Sequence, residues 1–284
     1  MSNTTTVAAV QMVSTPDLTE NIDVARRLVA AAVEKGALLV SLPEYWPTMG
    51  VHERDKLTLA EVPGEGPIQE AMAQMAQQHG IWLVGGTLPL VSAEAGKVRN
   101  TLMVYAPNGK PAARYDKIHL FSFTRGKESY DESRTITAGQ AVRSVDTPFG
   151  RVGLSVCYDL RFPELYRALG ACSLIVVPSA FTYTTGSAHW EILLRARAIE
   201  NQCYVLAAAQ GGLHENGRRT WGHSMLIDPW GEVVASLAEG RGVVCGDIDA
   251  AKLQSVRDTL PALRHRRDAL CSTINQSASI QEKS

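Results

Sequence analysis

The chain has 284 residues, 45% of them hydrophobic and 20% charged, enough for one large α/β domain or two modest ones. Its 28 Lys and Arg against 29 Asp and Glu leave a net charge of −1, without the basic excess of a nucleic-acid or anionic-membrane binder. No apolar run approaches the roughly 20 residues needed to span a bilayer, so the expected partner is a small molecule, with no nucleic acid and no membrane.

The N-terminal run MSNTTTVAAVQMV lacks a basic region and is too short and too β-like for a signal peptide. Residues 7–13 read instead as a buried strand. Ile22, Ala25, Val29, Ala32 and Val33 then recur at helical spacing, and Gly36 stops that helix. Residues 38–42 form a second apolar strand, ended by Pro43. Pro67 suits the first turn of a helix with Met72 and Met75 on its apolar side, closed by Gly80. Residues 81–91 return to strand, and 101–106 and 111–115 flank a turn at Pro107-Asn108-Gly109.

The second half repeats this scheme with a strand at 151–157, a short helix at 162–170 and a strand over 173–180 ended by Pro178. A helix at 187–202 and a strand at 204–210 follow. A hairpin turns at Asp228-Pro229-Trp230-Gly231, and the apolar run 243–248 comes after it. The hairpin segments LMVYAPNG (102–109) and MLIDPWG (225–231) place their apolar run, Pro and Gly alike, so one architecture is built twice. Strands apolar on both faces and alternating with helices need cover on both sides. The expected fold is therefore a four-layer α-β-β-α sandwich, a single domain over residues 1–271. Residues 272–284 lack apolar anchors and read as a tail that is mobile or packed on a partner. The cluster Arg264-His265-Arg266-Arg267 reads as a local solvated or interface face.

Five cysteines (157, 172, 203, 245 and 271) are an odd count with no CxxC and no Cys/His cluster at metal-ligand spacing. They read as reduced thiols in a cytoplasmic protein, with no metal. Cys172, Cys203 and Cys245 sit in or beside apolar runs as small fillers. Cys157 differs, lying where a strand ends and Tyr158-Asp159-Leu160-Arg161 opens a helix. A helix dipole there would lower the thiol pKa, and the Tyr158 backbone N–H would face a developing oxyanion. The competing reading is a buried core cysteine.

A thiol nucleophile needs a base. None of the seven histidines is singled out by its setting. Glu44, after the buried run LLVSLP, stands at the carboxyl end of a strand among apolar neighbours, a setting in which a carboxylate can exchange protons near neutrality. It could equally be a solvated loop carboxylate. Lys117, in RYDKIHLF, could set its ammonium against an oxyanion, or be an ordinary edge-strand lysine.

Three segments together carry a resemblance: LPEYW around Glu44, YDKIHLF around Lys117 and GLSVCYDLRFPELYRAL around Cys157. In their order and spacing they resemble the nitrilase superfamily of carbon–nitrogen hydrolases, from about Val7 to Arg267. The resemblance implies an αββα sandwich and a Glu–Lys–Cys triad, with Glu44 as general base, Lys117 as oxyanion-stabilising cation and Cys157 as nucleophile. It also implies that Glu132 helps position the substrate or the lysine, and that the enzyme uses no cofactor and forms homodimers or larger homo-oligomers.

Residues 184–210 and 222–235 look most like the branch containing deaminated glutathione amidase and ω-amidase. The implied reaction is cysteine-dependent hydrolysis of a small carboxylate-bearing amide through a thioester, first of all deaminated glutathione, giving 2-oxoglutarate and cysteinylglycine. The alternatives are ω-amidase action on 2-oxoglutaramate, a nitrilase, or a non-catalytic interaction protein on the same scaffold. The loop 121–133 and Ser187 depart from relatives near the expected substrate mouth. Arg161, Phe181, Thr182 and His189 are the substrate-binding candidates. Arg161 could instead pair with an acid to hold its helix start, and His189 could serve helix packing.

Overall fold

A computed structural model of the chain describes residues 4–126 and 128–267. The expected tail over 272–284 and Cys271 lie outside the described residues.

The first half runs β1 (Thr4–Gln11), α1 (Leu18–Glu34), β2 (Leu39–Ser41), α2 (Pro67–His79), β3 (Trp82–Val84), β4 (Leu88–Val91), β5 (Val98–Tyr105) and β6 (Pro111–Asp116). A small hairpin, β7 (Ser122–Arg125) and β8 (Glu128–Asp131), leads to β9 (Arg143–Thr147). Then come β10 (Gly150–Leu154), α3 (Pro163–Ala168), β11 (Leu174–Val176), α4 (Tyr183–Asn201) and β12 (Tyr204–Ala207). The hairpin β13 (Gly211–Leu213) and β14 (Arg219–Trp221) precedes β15 (Ser224–Ile227), β16 (Val233–Leu237), β17 (Gly242–Asp249) and α5 (Ala250–Thr259).

The helix ends follow local chemistry. Asp17 caps α1 by accepting from the Glu20 N–H at 2.9 Å. Pro67 opens α2, and Gly80 closes it in the left-handed conformation, φ 63°. Helix α4 starts four residues before the expected 187, because Thr182 supplies its N-cap to the Thr185 N–H.

Two sheets form the middle layers. One has the order β17-β1-β2-β3-β5-β4 with β6 on the other side of β5, and the other has the order β16-β15-β12-β11-β10-β9. Strands β1, β2 and β3 are parallel, as are β10, β11 and β12, and hairpins β5–β6 and β15–β16 occupy corresponding places. The repeat seen in the sequence is thus a repeat of topology.

Side-chain alternation assigns the layers. Val7 and Ala9 of β1 pack inward with Leu154, Val176 and Leu206 of the second sheet, whereas Ala8 and Val10 pack outward with Val24, Ala25 and Val29 of α1. Trp190, Leu194 and Ala198 of α4 cover the far face of the second sheet. The result is the four-layer α-β-β-α sandwich.

The run 243–248, whose pairing the sequence leaves open, lies in β17, which crosses back and pairs antiparallel with β1, from Thr4↔Asp249 to Gln11↔Gly242. There it covers the open edge of β1, matching the place of β9 beside β10. The single strand over 81–91 is instead two, β3 and β4, broken at Gly85 and Gly86. Gly86 has φ +57°, and a Cβ there would stand 2.1 Å from the Pro43 carbonyl oxygen and 2.8 Å from Trp46 Cδ1. The chain must bend under the loop that carries Glu44, and only glycine fits so close.

Candidate active site

Three strand ends of the sandwich carry the candidate residues. Strand β2 ends at Ser41 and Pro43 turns the chain, which sets Glu44 on the following loop. Lys117 comes directly after β6, and Cys157 follows β10, opening a short 3-10 turn over Cys157–Arg161. Tyr45 and Cys157 both hold positive φ, 54° and 49°, a costly conformation for non-glycine residues and one that clusters at functional sites.

Glu44 and Lys117 are each 1% exposed and Cys157 7%. The Lys117 ammonium donates to Glu44 Oε1 at 2.8 Å, and to Glu132 Oε1 at 3.0 Å and Oε2 at 2.8 Å. Glu44 is fixed further by Asn100 Nδ2 on Oε1 at 2.9 Å and by the Ala180 N–H on Oε2 at 2.9 Å. Glu132 also accepts from the Tyr45 hydroxyl at 2.7 Å and the Phe121 N–H at 2.8 Å. Every buried charge here has a partner, as burial demands.

The electrostatics overturn one expectation. Burial pushes the Cys157 thiol pKa well up, the negative charge and hydrogen bond of Glu44 push it further, and Lys117 opposes them only in part. The expected lowering by a helix dipole does not prevail; the chain after Cys157 is a 3-10 turn followed by the six-residue α3. Burial likewise works against the charge on Lys117, but Glu132 and Glu44 outweigh it and its pKa is raised. Glu132 is lowered, since Lys117 overcomes its burial. The resting site therefore holds a neutral thiol beside a buried Lys117–Glu132 ion pair.

The turn that presents Cys157 is pinned from below by Asp159, which is fully buried. Its Oδ2 accepts from the Val156 N–H at 2.8 Å and the Tyr115 hydroxyl at 2.7 Å. Its Oδ1 accepts from the His119 N–H at 3.1 Å and lies 2.7 Å from His119 Nδ1. Tyr115 and His119 flank Lys117, so the same carboxylate ties the lysine strand to the cysteine turn.

A small chamber of about 10 Å³, room for about one water-sized group, lies before the sulfur. It is bounded by Glu44, Glu132, Cys157 and Arg218, together with the expected residues Tyr158, Phe181 and Thr182. Phe121, Glu132 and Arg218 also border an outer chamber of about 410 Å³. Arg161 and His189 border neither: Arg161 Nη1 lies 3.3 Å from His189 Nδ1, and its guanidinium sits over the rings of Tyr158 and Phe181. Sequence reasoning missed Asn100, Asp159 and Arg218. An aspartate two residues after a cysteine at a strand end was a usable signal for Asp159. Nothing in the sequence marked the other two.

Among the described residues no group of His, Cys, Asp and Glu is placed to hold a metal ion, and no helix is long and apolar enough to cross a membrane. A buried thiol that shares a chamber with a carboxylate, itself bonded to an ammonium, is equipped for acyl transfer: a nucleophile, a proton carrier and an oxyanion partner.

Comparison with known proteins agrees with this chemistry. The family model for carbon-nitrogen hydrolases matches residues 6–258. A deaminated glutathione amidase of Synechocystis is 45% identical over 265 residues, spanning 91% of this chain and 97% of that one. The human omega-amidase NIT2 is 38% identical over 267 residues, 93% of this chain and 95% of that one. The crystal structure of the Caenorhabditis elegans NitFhit protein superposes with a TM-score of 0.85 at 41% identity, covering 95% of this chain and 66% of that longer one.

Proposed function

The chain belongs to the carbon–nitrogen hydrolase family and is an amidase, and from that premise we propose that Cys157, Glu44 and Lys117 carry the reaction on deaminated glutathione. The observation that supports the triad most is the Lys117 ammonium, bonded to Glu44 and Glu132, the two carboxylates that line the chamber before the Cys157 sulfur.

Glu44 takes the thiol proton as Cys157 Sγ attacks the amide carbonyl. The raised thiol pKa leaves no standing thiolate, so the proton passes to Glu44 as the sulfur attacks. Negative charge growing on the carbonyl oxygen meets Lys117 and the Tyr158 N–H. Protonated Glu44 then gives its proton to the leaving amine, and a Cys157 thioester remains. Water enters, loses a proton to Glu44 and releases the acid, returning the thiol. Glu132 holds Lys117 through both oxygens while Glu44 changes charge.

The outer chamber of about 410 Å³ suits a substrate with a bulky leaving half. For deaminated glutathione this half is cysteinylglycine. The likeness to omega-amidase NIT2 supports 2-oxoglutaramate as a second substrate. The two share their acyl half and differ in product, a dipeptide or ammonia. Wild-type enzyme quenched during turnover of deaminated glutathione is expected to carry a 2-oxoglutaryl adduct on the Cys157 peptide, read by mass spectrometry, and to release dipeptide without ammonia. An adduct on any other residue refutes the triad; release of ammonia alone, from 2-oxoglutaramate only, refutes the substrate.

A homo-oligomer is also proposed. Ile192, Ile199 and Trp230 are 70%, 49% and 53% exposed, and Ile199 packs against Gly231, the residue after Trp230, where Arg195 Nε bonds the Gly231 carbonyl at 2.7 Å. Light scattering is expected to give a multiple of 30.8 kDa; a monomer mass at micromolar concentration refutes it.

A further inference from the structure

The outer chamber holds two charged side chains whose polar atoms are not fully used. Arg218 projects from the hairpin β13–β14. Its Nη2 donates to the Ala180 carbonyl at 2.7 Å, Nη1 lies 3.9 Å from Met49 Sδ, and the guanidinium sits 5.1 Å over the Tyr130 ring. Its Nε is buried without a hydrogen-bond partner. Glu128, at the start of β8, accepts from Thr184 Oγ1 at 3.0 Å through Oε1, while Oε2 is buried without a partner. Leaving such groups unpaired is costly, and in native proteins the exceptions call for an explanation.

Both residues border the outer chamber, and Arg218 alone of the two also borders the chamber of Cys157. A cation and an anion, each with spare hydrogen-bonding capacity, line one cavity, and a ligand that brings both an acceptor and a donor matches them. A short peptide with a free C-terminal carboxylate does so: the carboxylate for Arg218, a peptide N–H for Glu128. Ammonia as leaving group offers nothing to either.

We propose that Arg218 and Glu128 form the subsite that reads the leaving half of the substrate, a short peptide with a free carboxylate. The assignment rests on the substrate reading above and extends it from the reacting bond to the amine side. It makes these two residues determinants of specificity between peptide-releasing and ammonia-releasing amides. They come from separate parts of the chain, so the subsite exists only in the folded hydrolase.

The test compares kcat/KM for deaminated glutathione and 2-oxoglutaramate, which share the 2-oxoglutaryl half, in wild type, Arg218→Gln, Arg218→Lys and Glu128→Gln. The ratio of the two constants is expected to fall about 10- to 100-fold in Arg218→Gln, the weight of a charge-assisted hydrogen bond. It is expected to recover partly in Arg218→Lys and to fall about 3- to 10-fold in Glu128→Gln. Arg218 also braces Ala180, whose N–H holds Glu44, so a purely structural role lowers both substrates together and leaves the ratio unchanged. An unchanged ratio in a wild type active on both substrates overturns the subsite alone. A wild type active on 2-oxoglutaramate but inert to deaminated glutathione overturns the substrate reading, and the subsite with it. Glu128→Gln decides the matter independently should the arginine variants fail to fold.

Discussion

A Lys117→Met variant is expected to lose turnover by about 10²–10³-fold or more and stability by about 3–5 kcal/mol. The first loss follows from the oxyanion, which loses its charged partner. The second follows from what remains. Lys117 donates to Glu44 and to both oxygens of Glu132, and all three side chains are buried. Methionine fills similar space and leaves two carboxylates facing each other without a cation, and removing one partner of a buried ion pair strands the other charge.

The stability loss carries a pH signature. In the wild type Glu132 has a lowered pKa, so its contribution is present above the ordinary carboxylate range and is lost as pH falls through the lowered value. In Lys117→Met the cause of that lowering is gone, and burial raises the carboxyl instead. Such a group favours the folded state below the ordinary carboxylate range and loses that effect as pH rises through the raised value. The gap between wild type and variant is therefore widest near neutrality and narrows toward pH ~4. Urea unfolding of both proteins at several pH values measures it. A gap constant with pH would mean that the lysine acts by packing and not by charge.

How much of this arrangement was legible in the sequence depends on whether the signal was local. Pro67 and Gly80 bound α2 as expected, because a cap is read within one turn of chain. The strand at β1 and the twin hairpins β5–β6 and β15–β16 were equally visible, since each needs only a short apolar run or a Pro-Gly turn. The pairing of β17 with β1 was not legible, because it joins residues at opposite ends of the chain. The same holds at the site. Glu44, Lys117 and Cys157 stood out through their flanking motifs, but Asn100 and Arg218 reach the site from a strand interior and a distant hairpin, with nothing local to mark them. The misjudged thiol has a similar cause: a helix start can be guessed from sequence, whereas the burial and the nearby Glu44 charge that outweigh it arise only in three dimensions.

The Glu44→Gln variant separates the two tasks given to that carboxylate, and the expected result is a split between reactivities. Amide turnover should fall about 10³–10⁴-fold, near the upper range for loss of a general acid–base group. Alkylation of Cys157 by iodoacetamide at pH 7 should stay level or become faster. After burial, the charge and hydrogen bond of Glu44 are what raise the thiol pKa, while Lys117 pulls it down. Glutamine removes the raising charge and keeps the ammonium, so the thiolate fraction at a given pH goes up. Alkylation asks only for a thiolate, because iodide leaves without a proton. Amide cleavage asks for a proton on the departing nitrogen as well, and glutamine has none to give. A shift of the alkylation–pH profile to lower pH, beside lost turnover, identifies Glu44 as the proton carrier. Parallel loss of both reactivities would instead reduce Glu44 to a brace for Lys117 and Ala180, and the proton path drawn through it would have to be abandoned.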